Sequence, residues 1–202
     1  MKITIVSGSH RRPSQSAKVG RFIERSLLEH QLCEETSFID LADFPLPLWE
    51  QEMAKDPLWQ QRRAPLSASL AASDGFVVIS PEWHGMVPSG QKNFFLMWGQ
   101  GELAHKPALI VAVSAGEGGA YPVAELRMSS YKNNRICYIP EQVIVRHVER
   151  VLNEEGENDP RSDPYLRERI LFALRLLHDY ALALRQVRDG GAINHPKFKN
   201  GM

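Results

Sequence analysis

Short apolar runs alternate along the chain with stretches in which apolar residues recur every three or four positions. Lys2 to Val6 predicts a strand that ends in the turn sequence Ser7-Gly8-Ser9-His10. From Ser14, a predicted N-cap, the spacing of Ala17, Val19, Phe22, Ile23, Leu27 and Leu28 predicts a helix. Thr36 to Leu41 is a weaker strand. Phe44 to Trp49 is a loop, because Pro45 and Pro47 remove amide donors and fix the backbone. A second helix is predicted over Pro57 to Ala72, and then a wholly apolar strand over Phe76 to Ser80, suited to burial on both faces. The loop Pro81 to Ser89, a helix over Gln91 to Trp98 and the strand Ala108 to Val113 come next. A glycine-rich loop, a helix over Pro122 to Asn133 and a fifth strand over Gln142 to Arg146 complete the alternation. An acidic stretch, Asn153 to Asp159, leads into a helix over Pro164 to Arg188 with a stripe of Leu166, Ile170, Ala173, Leu174, Leu177, Ala181 and Leu184. A loose tail is expected from Gly190.

Strands alternating with helices predict an α/β chain with an open parallel sheet covered on both faces. Five strands in 202 residues point to a single flavodoxin-like domain over residues 1–202, three layers deep, with strand order 2-1-3-4-5. In such a sheet ligands bind beyond the carboxyl ends of the strands, where strand order reverses. For this order the loops after strands 1, 3 and 4 meet there.

Composition narrows the function classes. The 24 lysines and arginines balance 24 aspartates and glutamates, so no broad field favours nucleic acid or anionic lipid. Cys33 and Cys137 stand far apart without a CxxC, which reads as free structural thiols in a reducing cytosol. The longest apolar run, Ala108 to Val113, is too short for a membrane span, and the opening residues turn polar too early for a signal peptide. A cytoplasmic protein is therefore expected. The seven histidines show no HxxxH or HExxH spacing, so no metal site is expected. No GxSxG elbow accompanies Ser7, Ser9 or Ser114, so hydrolase chemistry finds no support.

The three loops carry the candidate chemistry. Gly8 to Ser16 offers the hydroxyls of Ser9, Ser14 and Ser16, the guanidinium of Arg11 and the open amides of a helix N-terminus, a set that suits a phosphate. The alternative is a serine-capped helix with surface arginines. GxGxxG and GxxxxGK[ST] are both absent, so a mononucleotide fits better than a dinucleotide or a hydrolysed triphosphate. Arg12 reads as solvated, or as a contact to the extra phosphate of a nicotinamide nucleotide. Pro81, Glu82, Trp83, His84 and Gly85 put an aromatic ring, an imidazole and permissive backbone beside the phosphate, as a planar heterocycle requires; a turn with Trp83 packed on the core is the rival. His84 is either a donor to a ring carbonyl or a solvated loop histidine. Ser114, Gly116, Gly118 and Gly119 supply a third loop whose amides can approach a ligand edge, against a flexible-linker alternative.

The set GSxRxxS near the start, DLxxxPLPL after strand 2, PEWHGxxPxxxKN after strand 3 and the glycine-rich loop after KPALIVAVS resembles the NADPH-dependent FMN reductase family. The family forms GSxRxxSxN and PEYNxxxPxxLKN match at Gly8, Ser9, Arg11, Ser14, Pro81, Glu82, Pro88, Lys92 and Asn93, and the resemblance runs from Lys2 to about Leu184. It implies that Ser9, Arg11, Ser14 and Ser16 hold the FMN phosphate, Ser16 standing where the family often has asparagine. Pro81 to Gly85 would line the isoalloxazine ring, and Ser114 to Gly119 would meet its pyrimidine end or its dimethylbenzene-free face. Trp83 and His84 replace the usual Tyr and Asn, and Leu96-Met97 stands where Asp-Trp is often found, which bears on ring contacts and substrate access.

The expected activity is hydride transfer from NADPH or NADH through FMN to a flavin, quinone, azo compound or metal ion as small-molecule acceptor. Such chemistry needs no side-chain acid or base, so no catalytic residue is assigned. The resemblance implies a dimer or other homo-oligomer, tetramer included, and Phe172, Tyr180 and Leu182 broaden the apolar face of the last helix enough for a subunit contact. Two alternatives stand beside it. A flavodoxin-type electron carrier is disfavoured by the neutral charge, and a flavin-free binding module draws its support from Trp83-His84.

Overall fold

The fold is given by a computed structural model that describes residues 1–201. Five parallel strands, β1 (Lys2–Ser7), β2 (Glu35–Asp40), β3 (Gly75–Pro81), β4 (Pro107–Val113) and β5 (Cys137–Val145), form one sheet in the order β2-β1-β3-β4-β5. Five helices cover it: α1 (Gln15–Glu29), α2 (Pro57–Ala72), α3 (Ser89–Met97), α4 (Ala120–Met128) and α5 (Ser162–Asp189).

Side chains alternate across each strand, so the strands feed two separate cores. Ile3, Ile5, Val77, Ile79, Leu109 and Val111 pack with Val19, Ile23 and Leu27 of α1 and with Ile170, Leu174 and Leu177 of α5. On the opposite face Val6, Phe76, Val78 and Ile110 pack with Leu70 of α2, Phe94 of α3, Trp98 and Leu126 of α4. Every residue of β3 and β4 is buried, which is why those segments read as unbroken apolar runs rather than alternating ones.

The predicted α2 limits coincide with the observed ones, and Ser14 caps α1 by accepting the Ala17 amide at 3.1 Å. Two elements differ. β5 starts at Cys137, five residues before the predicted Gln142; its first half, Cys137-Tyr138-Ile139, is cut off from the apolar run Val143 to Val145 by the exposed Pro140 and by Glu141 and Gln142, and it crosses a register shift opposite Ala108 and Ile110. α4 ends at Met128 rather than near Asn133; Ser130 takes a left-handed φ of 62° that no helix continues through. Two single 3₁₀ turns, Gln51–Lys55 and Val148–Arg150, are too short to leave a periodic signal.

The segment after Gly190, expected to be loose, is tied back to the body. The His195 and His105 rings stack with their Nε2 atoms 3.0 Å apart, Arg135 donates to the carbonyls of Phe198 and Lys199, and the Gly201 amide donates to Asn133 Oδ1. Cys33 and Cys137 are free thiols. Among the described residues no helix is long and apolar enough to cross a membrane, and no group of three or more His, Cys, Asp or Glu is placed to hold a metal ion.

Candidate functional site

β1 ends at Ser7, and the Gly8 amide bonds the Ile79 carbonyl of β3 at 2.8 Å. A Cβ at Gly8 would lie 2.2 Å from Gln91 Oε1, so the buried amide of Gln91 packs directly beneath the glycine. Ser9 is buried and accepts the Arg11 amide at 3.3 Å. Arg11 and His10 are exposed. The Arg12–Pro13 peptide is cis, and the exposed Arg12 side chain pairs with Asp43 and donates to the Ala42 carbonyl (2.8 Å) in the segment after β2.

The first turn of α1 carries no acidic residue to offset the helix dipole. Ser16, in that turn, is 1 % exposed, and its hydroxyl has no hydrogen-bond partner; Ser7 Oγ, at the end of β1, is orphaned as well. Buried hydroxyls without partners are costly to a protein that never fills them. A buried hydroxyl and the open amides of a helix N-terminus are donors of the kind an anion accepts. The Ser14 hydroxyl accepts the capping bond and keeps its O–H to donate.

The loop after β3 is a tight hairpin. Trp83 and Met86 exchange backbone hydrogen bonds at 3.1 and 2.9 Å around His84 and Gly85, both at positive φ (52° and 72°). Two successive left-handed residues are the geometry that favours Asn-Gly, so His84 occupies a position better suited to the asparagine of the family pattern. Its side chain is exposed at the tip. Trp83 does not bury itself in the core: it is half-buried, with the His10 ring edge-on at 4.5 Å and the Arg11 guanidinium over its face at 4.7 Å. Pro81 is buried within the sheet opposite Val113, where it shapes the floor rather than a ligand wall.

The loop after β4 is pinned from several sides. The Ser114 amide bonds the Val145 carbonyl, Ser114 Oγ accepts the Gly116 amide at 3.2 Å, and Arg146 donates to the Gly118 carbonyl at 3.1 Å. Glu117 reaches His147 Nε2 at 2.7 Å. Gly119 sits at φ 111°, and a Cβ there would be 2.3 Å from Ile144 Cγ2. Gly116 faces open space.

Contacts run through all three loops in sequence. Arg11 and His10 of the first touch Trp83 of the second; Glu82, next to Trp83, accepts the Gly119 amide of the third at 2.5 Å and lies against Gly118. The sequence placed Glu82 on a ring-lining loop but did not reveal that its carboxylate bridges to a loop 37 residues away. It also missed Gln91, fully buried on α3, whose Nε2 donates to Ile79 O while Oε1 has no partner. Lys92 and Asn93 prove to be fasteners. Lys92 pairs with Glu125 of α4 at 2.5 Å, and Asn93 holds the Trp49 amide and the Pro47 carbonyl at 2.8 and 2.7 Å. Burial acts upward on the Glu125 carboxyl, but Lys92 and the Val87 amide outweigh it and hold the group below its usual range.

A cavity of about 670 Å³ opens beside these loops rather than over them. It shares Val87 and Lys92 with the end of the second loop and runs between the Gln51–Lys55 turn, α2, α3, α4 and the C-terminal segment.

Residues 1–150 match the family described as NADPH-dependent FMN reductase. The chain is 28% identical over 193 residues to a probable NADPH:quinone oxidoreductase 2 of Oryza sativa subsp. japonica, covering 92% of this chain and 91% of that protein. An NADPH azoreductase of Bacillus sp. (strain OY1-2) is 26% identical over 158 residues, 78% of this chain and 84% of its own length. Among solved structures, the flavoenzyme NAD(P)H:(acceptor) oxidoreductase of Paracoccus denitrificans superposes with a TM-score of 0.69 at 21% identity, covering 89% of this chain and 98% of that one. An oxidoreductase of Corynebacterium diphtheriae gives 0.66 at 18%, with 90% and 97% covered. At those identities the structures speak for the fold alone.

Proposed function

The chain belongs to the NADPH-dependent FMN reductase family, and from that premise we propose that it takes hydride from NADPH or NADH at a flavin held by the three loops and passes the electrons to a quinone or azo acceptor. The observation that supports this reading is the contact from Arg11 to Trp83, and from the adjoining Glu82 to Gly119, which joins the three loops; the buried, partnerless Ser16 hydroxyl in the first turn of α1 adds to it.

The phosphate of FMN would be held by the hydroxyls of Ser9, Ser14 and Ser16, by Arg11 and by the first-turn amides of α1. Trp83, His84 and Gly85 would stand against the ring, and the amides near Ser114, Gly116, Gly118 and Gly119 would meet its far edge. When bound, FMN supplies the hydride-accepting and hydride-donating chemistry. The chain's own work is to hold, orient and shield. Glu82 would keep the two ring-contacting loops in register, Gln91 would support the phosphate loop beneath Gly8, and Arg11, stacked on Trp83 and without a carboxylate partner among the described residues, would offer its guanidinium to the phosphate. Quinone and azo acceptors are supported by the names of the rice and Bacillus relatives.

The site reading includes a homodimer. Phe172, Tyr180 and Leu182 are exposed on α5, so apolar surface for a subunit contact is available on the face of the sheet opposite α3 and α4. A cytoplasmic setting accords with the two free thiols.

The test is an absorbance spectrum after incubation with FMN and desalting, followed by anaerobic NADPH. Flavin bands that are retained, bleach with NADPH and return on adding a quinone support the reading. Protein that retains no flavin and oxidises no NADPH with excess FMN present contradicts it and favours a flavin-free binding module.

A further inference from the structure

We propose that the 670 Å³ cavity beside the flavin loops is a second binding site, built for a flat aromatic anion such as a two- or three-ring carboxylate or sulfonate. Its volume falls in the range of small-molecule sites. Trp49, Trp59 and Phe95 give it aromatic walls, with Met53 and Met97 as adaptable apolar filling between them. Trp49 is about half exposed at the mouth, whereas Trp59 is 6 % exposed, so the site has an open end and a closed one.

Charge decides the sign of the occupant. Two cations of the lining are already spent: Arg63 on Glu102 at 2.8 Å and Lys92 on Glu125. Lys132 and Lys199 are exposed at the rim and have no carboxylate partner among the described residues, against the single unpaired carboxylate of Glu50. An apolar slot with surplus ammonium groups at its edge accepts a ring with an anionic substituent and discriminates against a cationic one. Lys199 reaches the rim because Arg135 holds the carbonyls of Phe198 and Lys199, so the C-terminal segment forms part of the site. The cavity does not use the flavin-holding residues, and the proposal stands independently of what those loops bind.

The experiment is a fluorescence titration of the full chain, with and without saturating FMN, using 8-anilinonaphthalene-1-sulfonate and the uncharged N-phenyl-1-naphthylamine. One sulfonate site per chain is expected in both states. The double reversal K132E/K199E should weaken the sulfonate roughly tenfold and leave the neutral probe unchanged, a difference that added salt should shrink. Both lysines are exposed, so the variant should fold, and circular dichroism verifies that. Displacement of the probe by FMN, equal sulfonate affinity in the reversed variant, or loss of the site on self-association of the chain would each overturn the proposal.

Discussion

At the scale of single residues the proposed phosphate end of the site offers an opposed pair of effects. Ser16 leaves a buried hydroxyl unpaired in the protein without ligand, a condition that costs about 1–3 kcal/mol. Ser16→Ala should therefore raise the melting temperature of the flavin-free protein by a few degrees while weakening FMN by about tenfold, since it also removes a donor to an anion. Calorimetry and an FMN titration on the same preparation read both; a variant that loses stability and keeps its affinity would show the serine to be a packing residue. Gly119→Ala tests the third loop. It must place a Cβ 2.3 Å from Ile144 at φ 111°, and a loss of about 2 kcal/mol or more in denaturant unfolding is expected. The capping role of Ser14 was legible because capping is a local property, whereas the crowding of Gly118 by Glu82 and of Gly119 by Ile144 was not, because those neighbours come from other segments. Gln91 was not, because a glutamine in an otherwise apolar helix face gives no sign of what packs against it until Gly8 is placed there.

At the scale of elements, the pattern located every strand and helix, and its errors fall where the pattern weakens. Edge strand β5 mixes polar and apolar residues, and α4 has only nine residues over which a period can show. The C-terminal segment carried no periodic signal, yet the His105–His195 stack docks it. Burial lowers the pKa of His105, and His195, Arg135 and Arg188 lower it further. The sign follows. With the folded value below the unfolded 6.5, the unfolded state binds more protons between the two, so stability rises with pH across that window, is complete above about 6.5 and falls on acidification. Limited proteolysis should thus cut after Gly190 faster at pH 5 than at pH 7.5. His195→Gln should flatten that dependence, and equal cutting at both pH values would contradict the latch.

At the scale of the whole molecule, the strand order is what turns three distant sequence loops into one site. Order β2-β1-β3-β4-β5 sets the carboxyl ends of β1, β3 and β4 side by side. Topology was readable because apolar runs alternated with helical periods; the pairing of Glu82 with Gly119, and the displacement of the main cavity to the α3–α4 side, were not, since both depend on distances between segments that no single window contains. A homodimer is expected in sedimentation at micromolar chain concentration, and a monomer under those conditions would remove the subunit contact from the reading. The central claim is that the loops form a flavin site whose phosphate end is anchored by Arg11, Ser16 and the start of α1. Its most direct test is quenching of tryptophan fluorescence, Trp83 included, by FMN and by riboflavin, which lacks the phosphate. The expected result is saturable quenching by FMN with one site per chain and at least tenfold weaker binding of riboflavin. Equal affinity for the two, or no saturable quenching by either, would contradict the account.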